Sequence, residues 1–532
     1  MNIINHSLRK YFLILRISLF LIAISLPGML LILQYEADTH LDEKRTLAPL
    51  PKMPFKLNEF ASFPGKFEKY FNDHFGLRAL FVRIHNRLTS QLLNLSQNQV
   101  TVGSNGWLYL TRATVDNADY TPFSEVELRT WKESLETKRD WLTEQGIPYL
   151  FVIGANKTAI YPEYFPGYES NGAAQTRQDQ LIAYLKINSD IDLVDVRPAL
   201  LEARKKNRLF LKTDSHLNTF GAYIAYREII SAIGNSLDKE IKPSPIGRFR
   251  IEYENGTGGN LANMLGLQVD YEEEYVRFNR KEGDEAPKLK ILEGDDLDQA
   301  NIASPWVWGV TFANGKDLDA PKALFFGDSY IVELFSFLRD HFSHSSFAVA
   351  NAIDSKFIFN ENPDIVVQEL IEFKLAMPPE NDSYDIMEFH SRRFFNIADK
   401  LIMKNADELR NEVNLVRGLS WTKGQLASTL KSTGRKALAL LPAVEAQDNK
   451  RTLVRITIYS ARDTHAYLFY GVPDNKDFSK KFSVERRIHA GKNELTFEIV
   501  HPEFNGKLAL LPGKKAGVYA IDEFEVRVIE YQ

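Results

Sequence analysis

Ala323-Leu-Phe-Phe-Gly-Asp-Ser-Tyr330 runs from four apolar residues suited to a buried strand, through a glycine that permits a tight turn, into a serine that opens a helical pattern continuing through Glu333, Leu334 and Leu338. A serine at a helix N-terminus can share free backbone N–H groups with a developing oxyanion, which is how a nucleophile is placed. The same residues also fit a plainer role, in which Asp328 or Ser329 only caps the helix. Around this stretch lie four more short apolar runs, Tyr149-Leu-Phe-Val-Ile153, Ile191-Asp-Leu-Val194, Phe347-Ala-Val-Ala350 and Ile365-Val-Val-Gln-Glu-Leu370, parted by helical patterns such as Gln178 to Lys186 and Tyr330 to Asp340. Such alternation predicts an α/β domain with a parallel sheet flanked by helices, and functional groups in such sheets gather at the carboxyl ends of the strands.

A second segment carries chemistry. Lys212-Thr-Asp-Ser-His-Leu-Asn-Thr-Phe-Gly-Ala-Tyr223 sets a carboxylate and an imidazole two residues apart just before an apolar helix. An acid placed there can fix the imidazole tautomer while the imidazole takes a hydroxyl proton. The competing reading has Asp214 or Ser215 capping the helix, with His216 an exposed first-turn residue. No H-E-x-x-H or histidine cluster suggests a metal, and His341 and His344 read as the end of a solvated helix. The acidic runs Glu272-Glu-Glu274 and Glu293-Gly-Asp-Asp-Leu-Asp298 lack calcium-loop spacing and read as solvated loops, inside a stretch from about 236 to 320 that interrupts the sheet pattern like an insertion near a cleft mouth.

Together the two segments resemble the SGNH hydrolase superfamily, whose serine follows a strand in a GDS block and whose paired Asp and His precede a helix. Asp214 and His216 are separated by one residue, and their block precedes the serine block, as in a circular permutation. Both features resemble the alginate O-acetyltransferase family of the AlgX/AlgJ type and its relatives acting on other exopolysaccharides. The similarity includes Glu43-Lys-Arg-Thr-Leu47, Phe63-Pro64 through Glu68, Tyr70, Asp73, Phe75-Gly76 and Arg78, and the Gly103-Ser-Asn-Gly-Trp-Leu108 turn. It continues in Asn156-Lys157 with Ile160-Tyr-Pro-Glu163 and Phe165-Pro166, in Gly258-Gly-Asn-Leu-Ala-Asn-Met-Leu-Gly266, and in Asn362-Pro-Asp-Ile-Val-Val-Gln-Glu-Leu-Ile-Glu372, covering about residues 40–400. Leu217 stands where many members carry tryptophan, and Asn260 where aspartate is common. The resemblance implies Ser329 as nucleophile, His216 as general base and acid, and Asp214 as its orienting carboxylate. Asn351, Tyr161 and Lys157 are candidates for a side-chain oxyanion donor or substrate contact, although each reads first as structural. No cofactor is implied.

The whole chain has 532 residues and a formal charge of −5, with 44% hydrophobic residues, 25% charged and no cysteine. Length allows about two to four domains. The charge gives no blanket pull toward nucleic acid, and the missing thiols exclude disulfides and cysteine nucleophiles. Tyr11 to Leu33 is a mainly apolar run whose only charge is Arg16, within the roughly 17–25 residues that span a bilayer. Arg9, Lys10 and Arg16 lie on its N-terminal side, and Glu36 and Asp38 follow it, so the positive-inside bias exports the rest of the chain. A cleaved signal peptide competes, but no A-x-A site follows the run, so an uncleaved single-pass anchor in the inner membrane is expected, with the catalytic part on the periplasmic or extracytoplasmic side.

The expected organisation is a cytoplasmic tip and anchor over 1–35, a proline-rich spacer over 36–55, an SGNH-like domain over 56–400 and a β-sandwich over 401–532. Residues 56–95 show helical spacing broken at Gly76, which predicts two helices. Ser124 and Glu127 form a capping-box pattern for another. A helical stretch is expected around 384–412. Beyond it, Leu453 to Tyr459, Ala466 to Tyr470, Glu494 to Val500, Leu508 to Leu511 and Phe524 to Ile529 alternate as short strands. Trp421, Tyr467, Phe469 and Tyr470 could stack on sugars there, although alternation turns about half such rings into the core. The function expected first is an anchored O-acetyltransferase acting on an exported polysaccharide. A carbohydrate esterase and a non-catalytic polymer-binding scaffold are the alternatives. Acetyl-CoA is cytoplasmic, so the resemblance also implies a multispanning acyltransferase partner that delivers the acetyl group.

Overall fold

The computed structural model describes residues 2–33, 47–54, 60–92, 99–111, 122–167, 175–284, 288–291, 309–314, 319–377, 379, 382–424, 426–445, 450–472, 478–501 and 503–530. Glu36, Asp38, most of the 43–47 motif and the acidic run at 293–298 lie outside these residues. The first helix, α1 (Asn2–Ile32), contains the apolar run, and Tyr11–Leu31 is not packed inside the rest of the chain. At about 1.5 Å per residue its 21 residues are long enough to cross a bilayer core. Two short helices follow, α2 (Phe63–His74) and α3 (Arg78–Asn86), divided at the expected place around Gly76.

A small hairpin, β1 (Val100–Val102) with β2 (Leu108–Leu110), closes over the Gly103–Trp107 turn. Helix α4 (Glu125–Glu144) starts at Ser124 with the reciprocal Ser124–Glu127 capping box. Then come β3 (Tyr149–Gly154), α5 (Arg177–Asn188), β4 (Leu193–Asp195), α6 (Thr219–Ser236), the paired ribbon β5 (Phe249–Thr257) and β6 (Glu272–Arg280), β7 (Lys288–Ile291), β8 (Gly309–Ala313), β9 (Lys322–Gly327), α7 (Ser329–Leu338), β10 (His344–Val349), β11 (Ile365–Ile371), α8 (Tyr384–Ile397) and β12 (Asp399–Asn405). The central sheet has the order β4-β3-β11-β9-β10-β8-β7. Its first five strands are parallel, and the last two join antiparallel. The apolar runs form these strands because residues of either parity are buried. Leu150, Val152, Phe325, Ile365 and Val367 pack under α6 and α7, while Tyr149, Phe151, Ile153, Leu324, Phe326 and Val366 face Trp131, Leu135, Leu142, Leu181 and Leu185 of α4 and α5.

Three expectations are corrected. The segment from 236 to 320 does not interrupt the sheet: β8 pairs with β10, and β7 extends the edge beyond it. Glu272-Glu-Glu274 opens strand β6 with Glu273 buried, so it is not a solvated loop. The stretch around 384–412 is helix, then strand β12, then a helix over Ala406–Glu412, because β12 completes a ladder with the last strand of the chain.

That C-terminal ladder belongs to two antiparallel sheets. The strands are β13 (Asn414–Arg417), β14 (Leu419–Trp421), β15 (Thr429–Ser432), β16 (Leu438–Leu440), β17 (Lys450–Ser460), β18 (Thr464–Tyr470), β19 (Ser483–Ile488), β20 (Gly491–Ile499), β21 (Leu508–Leu511) and β22 (Gly517–Glu530). One sheet runs β14-β15-β22-β17-β20 with β12 alongside β22, and the other runs β13-β16-β21-β18-β19. Val454, Ile456, Leu468, Phe497, Leu510 and Phe524 meet between them. Tyr467 is buried, Tyr470 packs against Phe482 and Phe504, and Trp421 lies beneath the Arg410 guanidinium.

Buried ion pairs tie these sheets to the central domain. Glu498 of β20 accepts from Arg451 of β17 at 3.0 Å and lies 3.1 Å from His390 of α8. His390 reaches Thr137 of α4 at 2.6 Å through its other ring nitrogen, and Arg451 also pairs with Glu133 of α4. Burial raises the Glu498 pKa, but the hydrogen bonds and charges of His390 and Arg451 outweigh it and hold the carboxyl at about 2. Because that value is below the unfolded one, Glu498 stabilises the fold above the ordinary glutamate range and ceases to do so as pH falls toward about 2. Thermal unfolding followed between about pH 7 and about pH 3 should therefore show Tm falling with acid. Glu498→Gln should lower Tm at neutral pH, by roughly 3–5 kcal/mol of lost stability, and make Tm less acid-dependent.

Candidate active site

Strand β9 lies between β11 and β10, so the residues beyond Gly327 emerge at the carboxyl edge in the middle of the sheet. Asp328 caps helix α7: its Oδ1 accepts the Tyr330 N–H at 2.8 Å, and its Oδ2 accepts the Ile371 N–H at 3.2 Å and pairs with Lys374 at 3.0 Å. The cap and an exposed serine at the start of the helix thus coexist. Asp328 provides the cap, and Ser329, first residue of the helix, keeps an exposed side chain. Its backbone N–H has no acceptor among the described residues.

The Thr213–His216 loop, far away in the sequence, meets this serine. His216 Nε2 lies 2.9 Å from Ser329 Oγ, and His216 Nδ1 lies 2.7 Å from Asp214 Oδ1. With Nδ1–H donated to Asp214, Nε2 is left as an acceptor for the Ser329 hydroxyl proton. Neither Asp214 nor Ser215 caps α6; Asn218 does, its Oδ1 accepting the Gly221 N–H at 3.0 Å. Burial opposes charge on His216, but the Asp214 hydrogen bond and charge, with help from Glu333 and Asp328, raise its pKa above the usual imidazole value. Burial likewise works against the Asp214 carboxylate, yet His216 and the Asn260 and His216 amides bring it down to about 2.

Several positioning residues escape a local reading of the sequence. Asp214 Oδ2 accepts the Asn260 N–H at 2.8 Å, and a Cβ on Gly259 would come within 2.8 Å of that carboxylate. The contact uses the backbone of Asn260, so asparagine serves there as well as aspartate. Buried Glu273 accepts from the Thr213 N–H and hydroxyl at 2.8 and 2.7 Å and pairs with Arg208 at 2.8 Å, fixing the residue before Asp214. Leu217 is fully packed in the core. His341 is not solvated: its Nε2 lies 2.6 Å from the Tyr226 hydroxyl, and burial pulls its pKa down to about 4.

Of the three further candidates, each of which also reads as structural, Lys157 is held within the fold. It is buried, and its ammonium donates to the Leu108, Lys212 and Asp214 carbonyls at 2.7, 2.8 and 2.8 Å, which uses its three donors. Tyr161 is also occupied away from Ser329, its hydroxyl accepting the Leu209 N–H at 3.0 Å. Its ring lines an open cleft of about 440 Å³ with Trp107, Tyr164, Arg204, Arg208 and Lys212. Asn351 is brought to the nucleophile turn. It follows Val349 by two residues as Ser329 follows the paired Gly327, and its Oδ1 accepts from Lys374, the cation of Asp328, at 2.6 Å.

Beneath the turn, the fully buried Glu369 of β11 accepts the Asp328 N–H at 3.3 Å through Oε2, while its Oε1 has no hydrogen-bond partner. A Cβ on Gly327 or Gly154 would approach its carboxyl to 2.8 or 2.6 Å, so both glycines make room for it. Burial, with the Asp328 charge adding and Lys374 opposing, pushes its pKa well above the carboxylate range.

Residues 100–300 match the family model described as SGNH hydrolase-like domain, acetyltransferase AlgX. A probable alginate O-acetylase AlgJ of Pseudomonas syringae pv. tomato is 25% identical over 178 residues, 33% of this chain and 44% of that protein. Its counterpart from Azotobacter vinelandii is 22% identical over 241 residues, 43% of this chain and 58% of that protein. The chain therefore spans about half the length of these relatives. Among solved structures, the O-acetyltransferase domain of Pseudomonas putida AlgJ superposes with a TM-score of 0.38 at 17% identity, covering 55% of this chain and 99% of that one.

If Glu369 acts as a neutral spacer under the turn, Glu369→Gln should retain near-wild-type turnover of an activated acetyl ester. Glu369→Ala should lower kcat by about 10²-fold with little change in KM, since misplacing a nucleophile by about 1 Å costs that much. Steady-state kinetics on the two variants check this.

Proposed function

We propose, taking as premise that residues 100–300 are a domain of the AlgX/AlgJ-type SGNH hydrolase-like family, that this protein is an O-acetyltransferase that moves acetyl groups onto hydroxyls of an exported polysaccharide. The observation that carries the reading is the hydrogen-bonded line from Asp214 through His216 to the exposed Ser329. Ser329 Oγ attacks the acetyl carbonyl of a donor ester as its proton passes to His216 Nε2; the carbon–oxygen bond to the donor breaks, and the leaving oxygen takes that proton back. A sugar hydroxyl then gives its proton to His216 and attacks the acetyl-serine, which releases the acetylated sugar and restores Ser329. Negative charge on the carbonyl oxygen is met by the Ser329 N–H at the positive end of α7, with Asn351 as the proposed side-chain donor.

The acceptor chain is proposed to lie along the cleft of Trp107, Tyr161, Tyr164 and Lys212, whose rings and cation suit a sugar polymer. The C-terminal sandwich, proposed as a separate module over 401–532, would hold the same polymer. Helix α1 is proposed as an uncleaved inner-membrane anchor with the catalytic domain on the periplasmic side. Acetyl would then arrive through a multispanning acyltransferase. The curated relatives are named as probable alginate O-acetylases, which supports the transfer chemistry and leaves the polymer of this protein to experiment.

Two outcomes are expected. Ser329→Ala should abolish acetyl transfer to oligosaccharide and also donor hydrolysis; product in which only free acetate ever appears, with acceptor present, would mark an esterase instead. Because His216 must be neutral to act as base and its pKa is raised, the rate should climb with pH through a midpoint above the ordinary imidazole value. Asp214→Asn should reduce kcat/KM by about 10³–10⁴-fold and move that midpoint downward.

A further inference from the structure

Helix α3 carries an apolar face that is exposed. Its end is tied to the protein by polar groups: Asn86 is buried and donates to the Leu265 carbonyl at 2.8 Å, and the largely exposed Arg87, just beyond the helix, pairs with Asp270 at 3.0 Å. Its opposite face exposes Leu80, Phe81, Ile84 and, one turn on, Leu88, each between 44% and 49% accessible, and α2 exposes Phe67. A helix of a soluble domain buries its apolar stripe and hydrates the polar one, so this arrangement leaves a hydrophobic strip without a core among the described residues. Its position supplies the occupant. The turn between the two helices rests on the far end of α1, the Gly76 N–H donating to the Pro27 carbonyl at 3.0 Å, four residues before the apolar segment ends at Leu31. Residues 63–88 also carry five basic side chains against two acidic ones, the balance that favours anionic headgroups.

We propose that α2 and α3 lie in the lipid–water interface, with Phe67, Leu80, Phe81, Ile84 and Leu88 sunk among the headgroups, so that the catalytic domain rests on the bilayer surface. The proposal builds on α1 as a membrane span. It also gives the Asp214 loop a fixed relation to the membrane, because Leu265, which accepts from Asn86, ends the short Asn260–Met264 helix whose first amide holds the Asp214 carboxylate.

The chain has no cysteine, so single cysteines can be placed one at a time in the full-length protein and spin-labelled after reconstitution into phosphatidylcholine–phosphatidylglycerol vesicles. Labels would be set by Phe81→Cys and Ile84→Cys on the strip, by Ile17→Cys within α1, and by Glu125→Cys on an exposed part of α4. Relaxation by oxygen, which partitions into lipid, is compared with relaxation by a water-soluble nickel chelate. The strip labels should favour oxygen over nickel as an interfacial helix does, at a depth of about 5–10 Å, while the Glu125 position favours nickel. Nickel access at Phe81 and Ile84 equal to that at Glu125, with Ile17 in lipid, would overturn the proposal while leaving the anchor intact. Shielding of the strip from both probes would overturn it in favour of a protein contact such as a second copy. An Ile17 label open to nickel would instead show that α1 does not span.

Discussion

The proposed chemistry of this molecule depends on one hydrogen-bonded line, carboxylate to imidazole to hydroxyl, built from segments 113 residues apart between His216 and Ser329. Neither segment can form it alone. The serine is delivered by a strand that ends in the middle of a parallel sheet, and the imidazole by a loop lying over the edge of that sheet. The line is held from below and from behind. Glu369 and Asp328 fix the serine turn, Glu273 and the Gly259–Asn260 amide fix the carboxylate, and Lys157 gathers the carbonyls of the loop between them. Each of these supports is buried, so each keeps its hydrogen bond in a medium where leaving a polar group unpaired costs about 1–3 kcal/mol. The result is a line held at both ends, with Ser329 its most exposed member and His216 partly open to solvent.

The same sheet explains how two very different environments coexist within a few residues. Asp214 is stabilised as an anion by two backbone amides and an imidazole, and its pKa falls. Glu369 has one weak amide contact and a neighbouring anion, and its pKa rises. Two carboxyl groups close to one turn are thereby pushed in opposite directions by their surroundings.

The parallel strands were legible because their apolar runs need no partner to be recognised: Phe325 and Phe326 are buried on opposite faces whichever strands flank them. The two motifs at Asp214–His216 and Asp328–Ser329 were legible because both lie where a loop enters a helix, and the capping alternative resolved itself once Asn218 and Asp328 took the capping roles. Strands β7 and β8 were not legible, since β7 is an edge strand in a charge-rich segment and β8 is a short strand defined by its neighbours on either side. Glu273 and Glu369 were missed for a related reason. A buried carboxyl inside a strand looks like any surface acid until the groups that surround it, contributed by residues 60 and 41 positions away, are in place. Lys157, a cation near the motif, spends its donors on backbone carbonyls, in line with the structural reading of that position.

The most direct test of the central claim is to catch the covalent intermediate. Intact-protein and peptide mass spectrometry after brief exposure to an activated acetyl ester should find one acetyl group, on the peptide containing Ser329, that disappears when oligosaccharide acceptor is added. Acetyl recovered on some other residue, or an unmodified Ser329 peptide in a protein that is still turning over donor, would contradict the account.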